Sequence, residues 1–214
     1  MSPGTKKDLA FYGIAGVVAL LLYVTGLHTQ AIAYVQQGIL ATGLIRPDTD
    51  GVGLSDVAPE PAVPAPPAAA SPNPLNFPMV DVNGQPVVAG SLSGKVVFLN
   101  FWAEWCPPCL AEMPGIDKLY RDFADDDRVA FVLVNVDQDF AKGKALVERR
   151  GYRFPIYHLA GPLSGPLDVS SLPSTYLVAP SGEVLLAHHG MADYDTQEFR
   201  ELLQKLADEA AGAR

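Results

Sequence analysis

Residues 96–109 read VVFLNFWAEWCPPC and decide the fold of this 214-residue chain. The run Val96–Phe101 is apolar apart from one asparagine, which is typical of a strand buried on both faces. A helical pattern begins near the two cysteines that close the stretch. Cys106 is therefore expected at a helix N-terminus, where the helix dipole and the free backbone N–H groups favour a thiolate.

Cys106 and Cys109 are the only cysteines of the chain. We predict that Cys106 is the nucleophile and that Cys109, one helical turn later, resolves the mixed disulfide. Pro107 and Pro108 fit this position, because the first helical turn has no internal partner for their missing N–H groups and their fixed φ suits a helix start. The spacing favours reversible exchange between a dithiol and a disulfide.

Three other uses of the pair agree less well with the sequence. A structural zinc site needs four ligands, and there is no second CxxC or HxxxH. A bracing disulfide across so short a loop restricts little chain entropy. A cysteine hydrolase needs a histidine base, and none of the four histidines has a spacing that places one there, although folding in space leaves this alternative open.

The N-terminal region predicts a membrane anchor. Leu9–Leu27 contains 19 residues without a charge and follows Lys6 and Lys7. This is long enough for one membrane-spanning helix, with residues 1–8 in the cytoplasm and the rest of the chain outside the inner membrane, in the periplasm or at the cell exterior. The alternative is a cleaved signal with its A-x-A site at 31–33, but the apolar core of a signal spans only about 7–15 residues.

The composition adds two constraints on partners and location. The net charge of −9 includes no basic stripe, so nucleic-acid binding is not expected. The predicted compartment is oxidising, and a chain whose only cysteines form one CxxC pair has no others to misconnect there.

Residues 28–74 are expected to join the anchor to a domain at 75–214. Gln30–Ile45 predicts a short juxtamembrane helix or the end of the spanning helix, and Ala58–Pro74 is a semi-rigid Ala/Pro-rich spacer. Strand and helix patterns then alternate, which predicts an α/β fold with a mixed sheet flanked by helices. The predicted elements are a hairpin around Asn83-Gly84, strand 96–101, a helix to about 123, strand 129–136, helix 140–150, strands 174–178 and 184–188, and a C-terminal helix with a capping box at Asp195 and Glu198.

Over about Leu75–Leu206 the sequence resembles the thioredoxin superfamily, and more closely its membrane-anchored TlpA/ResA/CcmG-like thiol-disulfide oxidoreductases. The resemblance is carried by LSGK at 92–95, FWAEWCPPC at 101–109, a strand-helix insert around 134–150 and LPST at 172–175. It implies a thioredoxin-like fold with an N-terminal β-hairpin and a central strand-helix insert, preceded by one transmembrane helix. It also implies that the Cys106–Cys109 disulfide is the redox group, with no other cofactor and no metal.

The resemblance assigns further site residues. It implies a cis peptide bond before Pro173 and a substrate chain paired with the backbone of Leu172, while Trp105 and Pro107 are expected at the docking surface. The buried aspartate of thioredoxin is replaced by Asn100, and Glu112 holds the position of a glutamate that serves the proton of the second cysteine. The alternative for Glu112 is an ordinary solvated residue of a helix surface.

The predicted function is a membrane-tethered reductase of disulfides in client proteins. The resemblance names apocytochrome c or a copper-site protein as the client, and thus cytochrome c biogenesis or oxidase assembly, with electrons from a CcdA/DsbD-type membrane donor. One alternative is an oxidant or a peroxidase of the same superfamily, although Leu99 and Ala103 replace the proline and threonine of the peroxidase motif. The other is a copper chaperone that adds His188 or His189 to the cysteines.

Overall fold

A computed structural model describes residues 3–24, 27–49, 74–88, 92, 94–163 and 167–212. Almost all of the predicted Ala/Pro-rich spacer lies outside these residues. The elements in chain order are α1 (Pro3–Val24), α2 (Leu27–Leu40), β1 (Pro78–Val80), β2 (Pro86–Val88), β3 (Val96–Trp102), α3 (Pro107–Phe123), β4 (Val129–Asn135), α4 (Phe140–Arg150), β5 (Ile156–Leu159), β6 (Ser174–Val178), β7 (Val184–His189) and α5 (Gln197–Gly212).

The described strands form one seven-stranded mixed sheet in the order β2-β1-β5-β4-β3-β6-β7. β3 pairs in parallel with β4, and β4 pairs in parallel with β5, whereas the remaining neighbours are antiparallel. Both the predicted hairpin and the predicted strand-helix insert are present. This confirms the thioredoxin-like α/β fold with its mixed sheet.

The central strand β3 supplies both hydrophobic cores, because successive side chains of a strand point to opposite faces. Phe98 and Trp102 belong to the core that includes α3 and α5, and Leu99 and Phe101 belong to the core on the other face. Asn100 shares the face of Phe98 and Trp102. The one polar residue of the strand is therefore directed towards the helix that carries the cysteines.

One local prediction is wrong, and one strand was not predicted. The hydroxyl of Thr196, not the carboxylate of Asp195, accepts the hydrogen bond from the backbone N–H of Phe199 at the start of α5, at 3.1 Å. Asp195 instead binds Lys118 and Arg200. The sequence also missed β5, which is only four residues long and has one buried residue, Ile156. So short a strand carries no readable alternation.

The N-terminal helices differ in their surroundings. The part of α1 from Phe11 to Val24 exposes its side chains, whereas α2 packs against α3 and buries Ala33 and Leu40. Within the described residues no single helix has both the length and the apolarity to cross a membrane. The segments Phe11–Val24 and His28–Leu40 satisfy these criteria only as a pair, bent by 97°. The single span predicted over 9–27 stays a prediction.

Candidate active site

Cys106 and Cys109 form a disulfide at the N-terminus of α3, with an S–S distance of 2.06 Å. Cys106 is the N-cap of the helix, and its sulfur accepts a hydrogen bond from the backbone N–H of Cys109 at 3.2 Å. This confirms the expected position of the first cysteine, where backbone donors and the helix dipole stabilise negative charge. Cys109 lies one turn deeper and is fully buried.

An apolar groove of about 490 Å³ runs beside the disulfide. Cys106 is one of its lining residues and Cys109 is not, so an approaching sulfur meets Cys106 first. Trp105 is 60% exposed and stands at the edge of the groove. The remaining lining residues are Pro107, Pro108, Val136, Val169, Ser170 and Leu172.

The predicted docking residues meet at this groove. Trp105, Pro107 and Leu172 line it, although Leu172 is separated from the cysteines by more than sixty positions in the chain. Pro173 follows Leu172, and the peptide bond between them is cis, as the resemblance implies. The residue before the cis proline and the start of α3 therefore line one groove.

Glu112 is buried on the inner side of α3, so the alternative of a solvated surface glutamate is wrong. The side-chain amide of Asn100 donates to its Oε1 at 2.8 Å, and the backbone N–H of Ala192 donates to its Oε2 at 3.3 Å. The same amide also donates to the hydroxyl of Thr175, at 2.9 Å. Both donors to the carboxyl are neutral, and so is Thr175.

Burial raises the pKa of Glu112 to about 8, and the hydrogen bonds from Asn100 and Ala192 offset this only in part. Tyr194 is buried near the same carboxyl, and burial followed by the proximity of Glu112 raises the pKa of its hydroxyl. Glu112 thus changes its protonation in the range where thiols ordinarily titrate, which is around pH 8.5. This matches the requirement for exchanging a proton with a thiol.

Asp137 holds the loop before the cysteines, a role that the sequence did not reveal. Its carboxylate accepts a hydrogen bond from the backbone N–H of Glu104 at 2.9 Å and from the side-chain amide of Asn135 at 2.7 Å. A Cβ atom at Gly143 of α4 would lie 2.8 Å from that amide nitrogen. The only sequence signal was an aspartate just after a buried strand, which also fits an ordinary polar loop.

The histidines named for a copper site lie on β7. His189 forms a hydrogen bond of 2.9 Å with the hydroxyl of Ser174 through its Nδ1. Across the described ranges, no group of three or more His, Cys, Asp or Glu side chains is arranged to hold a metal ion. The structure therefore gives no specific support to the chaperone alternative.

A disulfide at a helix N-terminus, a cis proline beside it and a thioredoxin-like sheet define the class of thiol-disulfide oxidoreductases. The sequence profile of the AhpC/TSA family matches residues 68–187, and the chain belongs to this family. It is a thiol-disulfide oxidoreductase, in agreement with the relatives and solved structures to which it is similar.

Two relatives are thiol-disulfide oxidoreductases named ResA. The protein from Halalkalibacterium halodurans is 34% identical over 139 residues, which cover 64% of this chain and 78% of that protein. The protein from Bacillus subtilis is 36% identical over 111 residues, which cover 51% of this chain and 62% of that protein. Both matches indicate a ResA-type enzyme.

Solved structures show the same fold. A thiol:disulfide interchange protein of the thioredoxin family from Chlorobium tepidum has a TM-score of 0.50 and 26% identity, covering 63% of this chain and 97% of that one. A secreted disulfide oxidoreductase of Mycobacterium tuberculosis, homologous to E. coli DsbE, has a TM-score of 0.51 and 24% identity, covering 63% and 96%. The second likeness supports the fold alone.

Proposed function

We propose that this oxidoreductase is tethered to the inner membrane and reduces disulfides of client proteins outside the cytoplasm. One observation carries the proposed direction of attack: Cys106 lines the groove and is 3% exposed, whereas Cys109 is absent from the groove wall and is fully buried. The redox group in this proposal is the cysteine pair itself. The tether is supported by the 19 uncharged residues from Leu9 to Leu27 behind Lys6 and Lys7.

The reaction begins with both cysteines reduced. The thiolate of Cys106 attacks one sulfur of the client disulfide, which forms a mixed disulfide and releases the other client sulfur as a thiolate. Cys109 then loses its proton and attacks the sulfur of Cys106, which releases the second client thiolate. Two electrons pass to the client, the enzyme is left with the disulfide seen in the structure, and solvent protonates the client thiolates.

Glu112 is the proposed acceptor for the proton of Cys109. It lies three residues further along α3, on the same buried side of the helix. Proton transfer is most effective when donor and acceptor have similar pKa values near the working pH, and burial brings the pKa of this carboxyl to about 8. Asn100 holds Oε1 and the Ala192 N–H holds Oε2, so the carboxyl keeps one orientation.

The groove is the proposed site for an extended client segment. The backbone of Leu172 pairs with the client chain as an added strand, an interaction that tolerates many side chains, while Trp105 and Pro107 contact its apolar residues. The resemblance supports apocytochrome c or a copper-site protein as the client and a CcdA/DsbD-type membrane protein as the electron donor. Leu99 and Ala103 stand where the peroxidase motif has proline and threonine, and both are buried apolar residues, so this site does not favour a peroxidase.

The assignment of the two cysteines is tested with single variants of the full chain in detergent micelles. Reduced Cys109→Ser should accumulate a mixed disulfide with a disulfide-containing peptide through Cys106, and Cys106→Ser should accumulate none. Mass spectrometry under non-reducing conditions measures both. Equal capture by the two variants would contradict the proposed order of attack, because it would show that the buried Cys109 is just as accessible.

The direction of electron flow is tested by the equilibrium reduction potential of the pair in glutathione buffers. A value near or below roughly −230 mV would support a reductant. A value close to about −120 mV would indicate a disulfide donor and reverse the proposed direction.

A further inference from the structure

The active-site helix receives a hydrogen bond from outside the thioredoxin-like domain. Pro114 lies inside α3 and has no N–H, so the carbonyl of Leu110 lacks its usual partner four residues later. The side-chain amide of Gln37 in α2 donates to this carbonyl at 3.3 Å. A residue of the segment before the domain thus replaces a hydrogen bond that the sequence of α3 cannot form.

Further contacts hold α2 and the residues after it on the domain. Ala33 is only 1% exposed and belongs to the same core as α3. The guanidinium of Arg150 donates to the hydroxyl of Tyr34 at 2.7 Å and lies 5.1 Å from the centre of its ring. The backbone N–H of Asp193 donates to the carbonyl of Ile45 at 3.0 Å. The segment therefore contacts α3, α4 and the loop after β7.

A cavity of about 180 Å³ lies between α2, α3 and that loop, and Glu112 is part of its wall. Gln37 and Leu40 line it from α2, and Ala41 lines it directly after the helix. Since one water molecule takes about 30 Å³ in the liquid, the cavity has room for a few, and Gln37 and Glu112 offer them polar partners. Lys118 forms part of the wall, and its side chain is largely exposed, so the cavity reaches the protein surface at this residue.

We propose that α2 is part of the catalytic unit: Gln37 and Leu40 form one wall of the cavity through which Glu112 exchanges its proton with solvent, and they limit the water that reaches the carboxyl. Gln37 and Leu40 are thus positioning residues. The inference deepens the proposed function and rests on Glu112 as the proton acceptor of Cys109.

The charged and titratable groups around the Glu112 carboxyl come from α3 and from the loop after β7, and none comes from the lining residues of α2. Lys118 and Asp195 form an ion pair at 2.8 Å in the cavity wall, Asp193 lies beside them, and Tyr194 is buried next to Glu112. The α2 residues that line the cavity carry no charge. Removal of α2 therefore changes the access of water to Glu112 and leaves these charged groups in place. Better solvation favours the carboxylate, so the pKa of Glu112 should fall.

The test compares two variants of the full chain that add the same charge to the same helix. In Ala33→Glu the new carboxylate cannot be accommodated against α3 and should displace α2. In the matched control, Val35→Glu, the substituted residue is 68% exposed. The infrared band of the protonated carboxyl is titrated in the disulfide form in detergent micelles, and Glu112→Gln identifies the band that belongs to Glu112.

We expect the pKa of Glu112 to fall by about one unit or more in Ala33→Glu and to stay unchanged in Val35→Glu. A direct charge effect from residue 33 would have the opposite sign, since a nearby negative charge raises the pKa of a carboxyl. Hydrogen exchange of residues 27–40 reports whether α2 has left the domain. Gln37→Ala, a milder change, should give a smaller fall in the pKa and faster exchange in α2.

Two results would overturn the inference. In the first, α2 of Ala33→Glu exchanges rapidly and Glu112 still titrates as in the wild type. In the second, α2 stays protected in Ala33→Glu, which would mean that Ala33 is not in the contact. A pKa that falls as expected, together with a Glu112→Gln variant of unchanged reactivity, would instead retain the cavity and refute the proposed role of Glu112 in the reaction.

Discussion

Two buried carboxylates on α3 have opposite surroundings. Glu112 is 2% exposed and receives hydrogen bonds from two neutral groups, the amide of Asn100 and the N–H of Ala192. Asp117, five residues later, is 4% exposed and pairs with the guanidinium of Arg121 at 2.5 Å, while the backbone N–H of Arg153 donates to its other oxygen at 2.5 Å. Glu112, in the first half of the helix, is thus buried with neutral donors, whereas Asp117, in the second half, is buried with a cation in contact.

The comparison shows that burial alone does not identify a proton-exchanging carboxyl. A cation in contact favours the charged form of a carboxyl. The ion pair of Asp117 with Arg121 lies within α3, and the hydrogen bond from the backbone N–H of Arg153 joins α3 to the segment after α4. Neutral donors in a buried site leave the desolvation cost largely uncompensated, which is why the pKa of Glu112 rises to about 8. Perturbed groups of this kind are concentrated at functional sites.

The largest expected effect is on the pH dependence of stability. The folded-state pKa of Glu112, about 8, lies above its ordinary value of 4.5, so between these values the folded chain holds a proton that the unfolded chain has lost. The stabilisation is complete below pH 4.5. The free energy of unfolding then falls by about 1.4 kcal/mol per pH unit between 4.5 and 8, and the stabilisation is lost once the pH has risen through 8. Glu112→Gln should lack this slope, which denaturant unfolding with the disulfide intact measures as a difference from the wild type.

Asp117→Asn is the matched control for this measurement. It should lower the free energy of unfolding, because the hydrogen bond from Arg153 and the ion pair with Arg121 are weakened, yet keep the slope that Glu112 causes. If Glu112→Gln and the wild type show parallel pH profiles, the carboxyl is charged in the folded protein and the contrast between the two halves of α3 disappears.

The next effect is on the second step of the reaction. Glu112→Gln should slow the attack of Cys109 on the mixed disulfide by roughly a hundredfold, since general-base assistance is typically worth at least that much, and it should remove an inflection near pH 8. Asp117→Asn should react like the wild type. Rapid-mixing experiments with a preformed mixed disulfide measure the step. Equal rates for Glu112→Gln and wild type at every pH would exclude Glu112 as the proton acceptor.

The smallest effect concerns Asn100, whose hydrogen bond lowers the pKa of Glu112. Asn100→Ala removes this donor to the carboxylate, so the pKa should rise further, by about one unit or less. An infrared titration of the Glu112 carboxyl measures the change. A pKa that falls in this variant would show that water entering the vacated space matters more than the lost hydrogen bond.

Much of the fold was predictable because its central elements are strongly patterned. The run Val96–Phe101 has the composition of a buried strand, and helix α4 ends at Gly151, whose φ of 69° suits glycine. The sequence missed β5 because four residues with one buried side chain show no period. It also treated the segment before the domain as a connection, since the packing of α2 on α3 depends on contacts between residues far apart in the chain.

The site was predictable in its residue types and only partly in its environment. The spacing of Cys106 and Cys109 indicates their chemistry directly, and the resemblance adds Leu172 and Pro173. The sequence left the burial of Glu112 open, because a glutamate at that helix position suits solvent equally well. Only the three-dimensional structure shows that Asn100 and the loop after β7 close over it.

Gly143 links the inserted helix α4 to the loop before the cysteines. At this glycine α4 packs closely against the side chain of Asn135. The amide of Asn135 donates to Asp137, and Asp137 accepts a hydrogen bond from the backbone N–H of Glu104. Any side chain at position 143 would push on the first member of this chain. The position of α4, a helix without a residue in the groove, therefore limits how far the loop before Cys106 can shift.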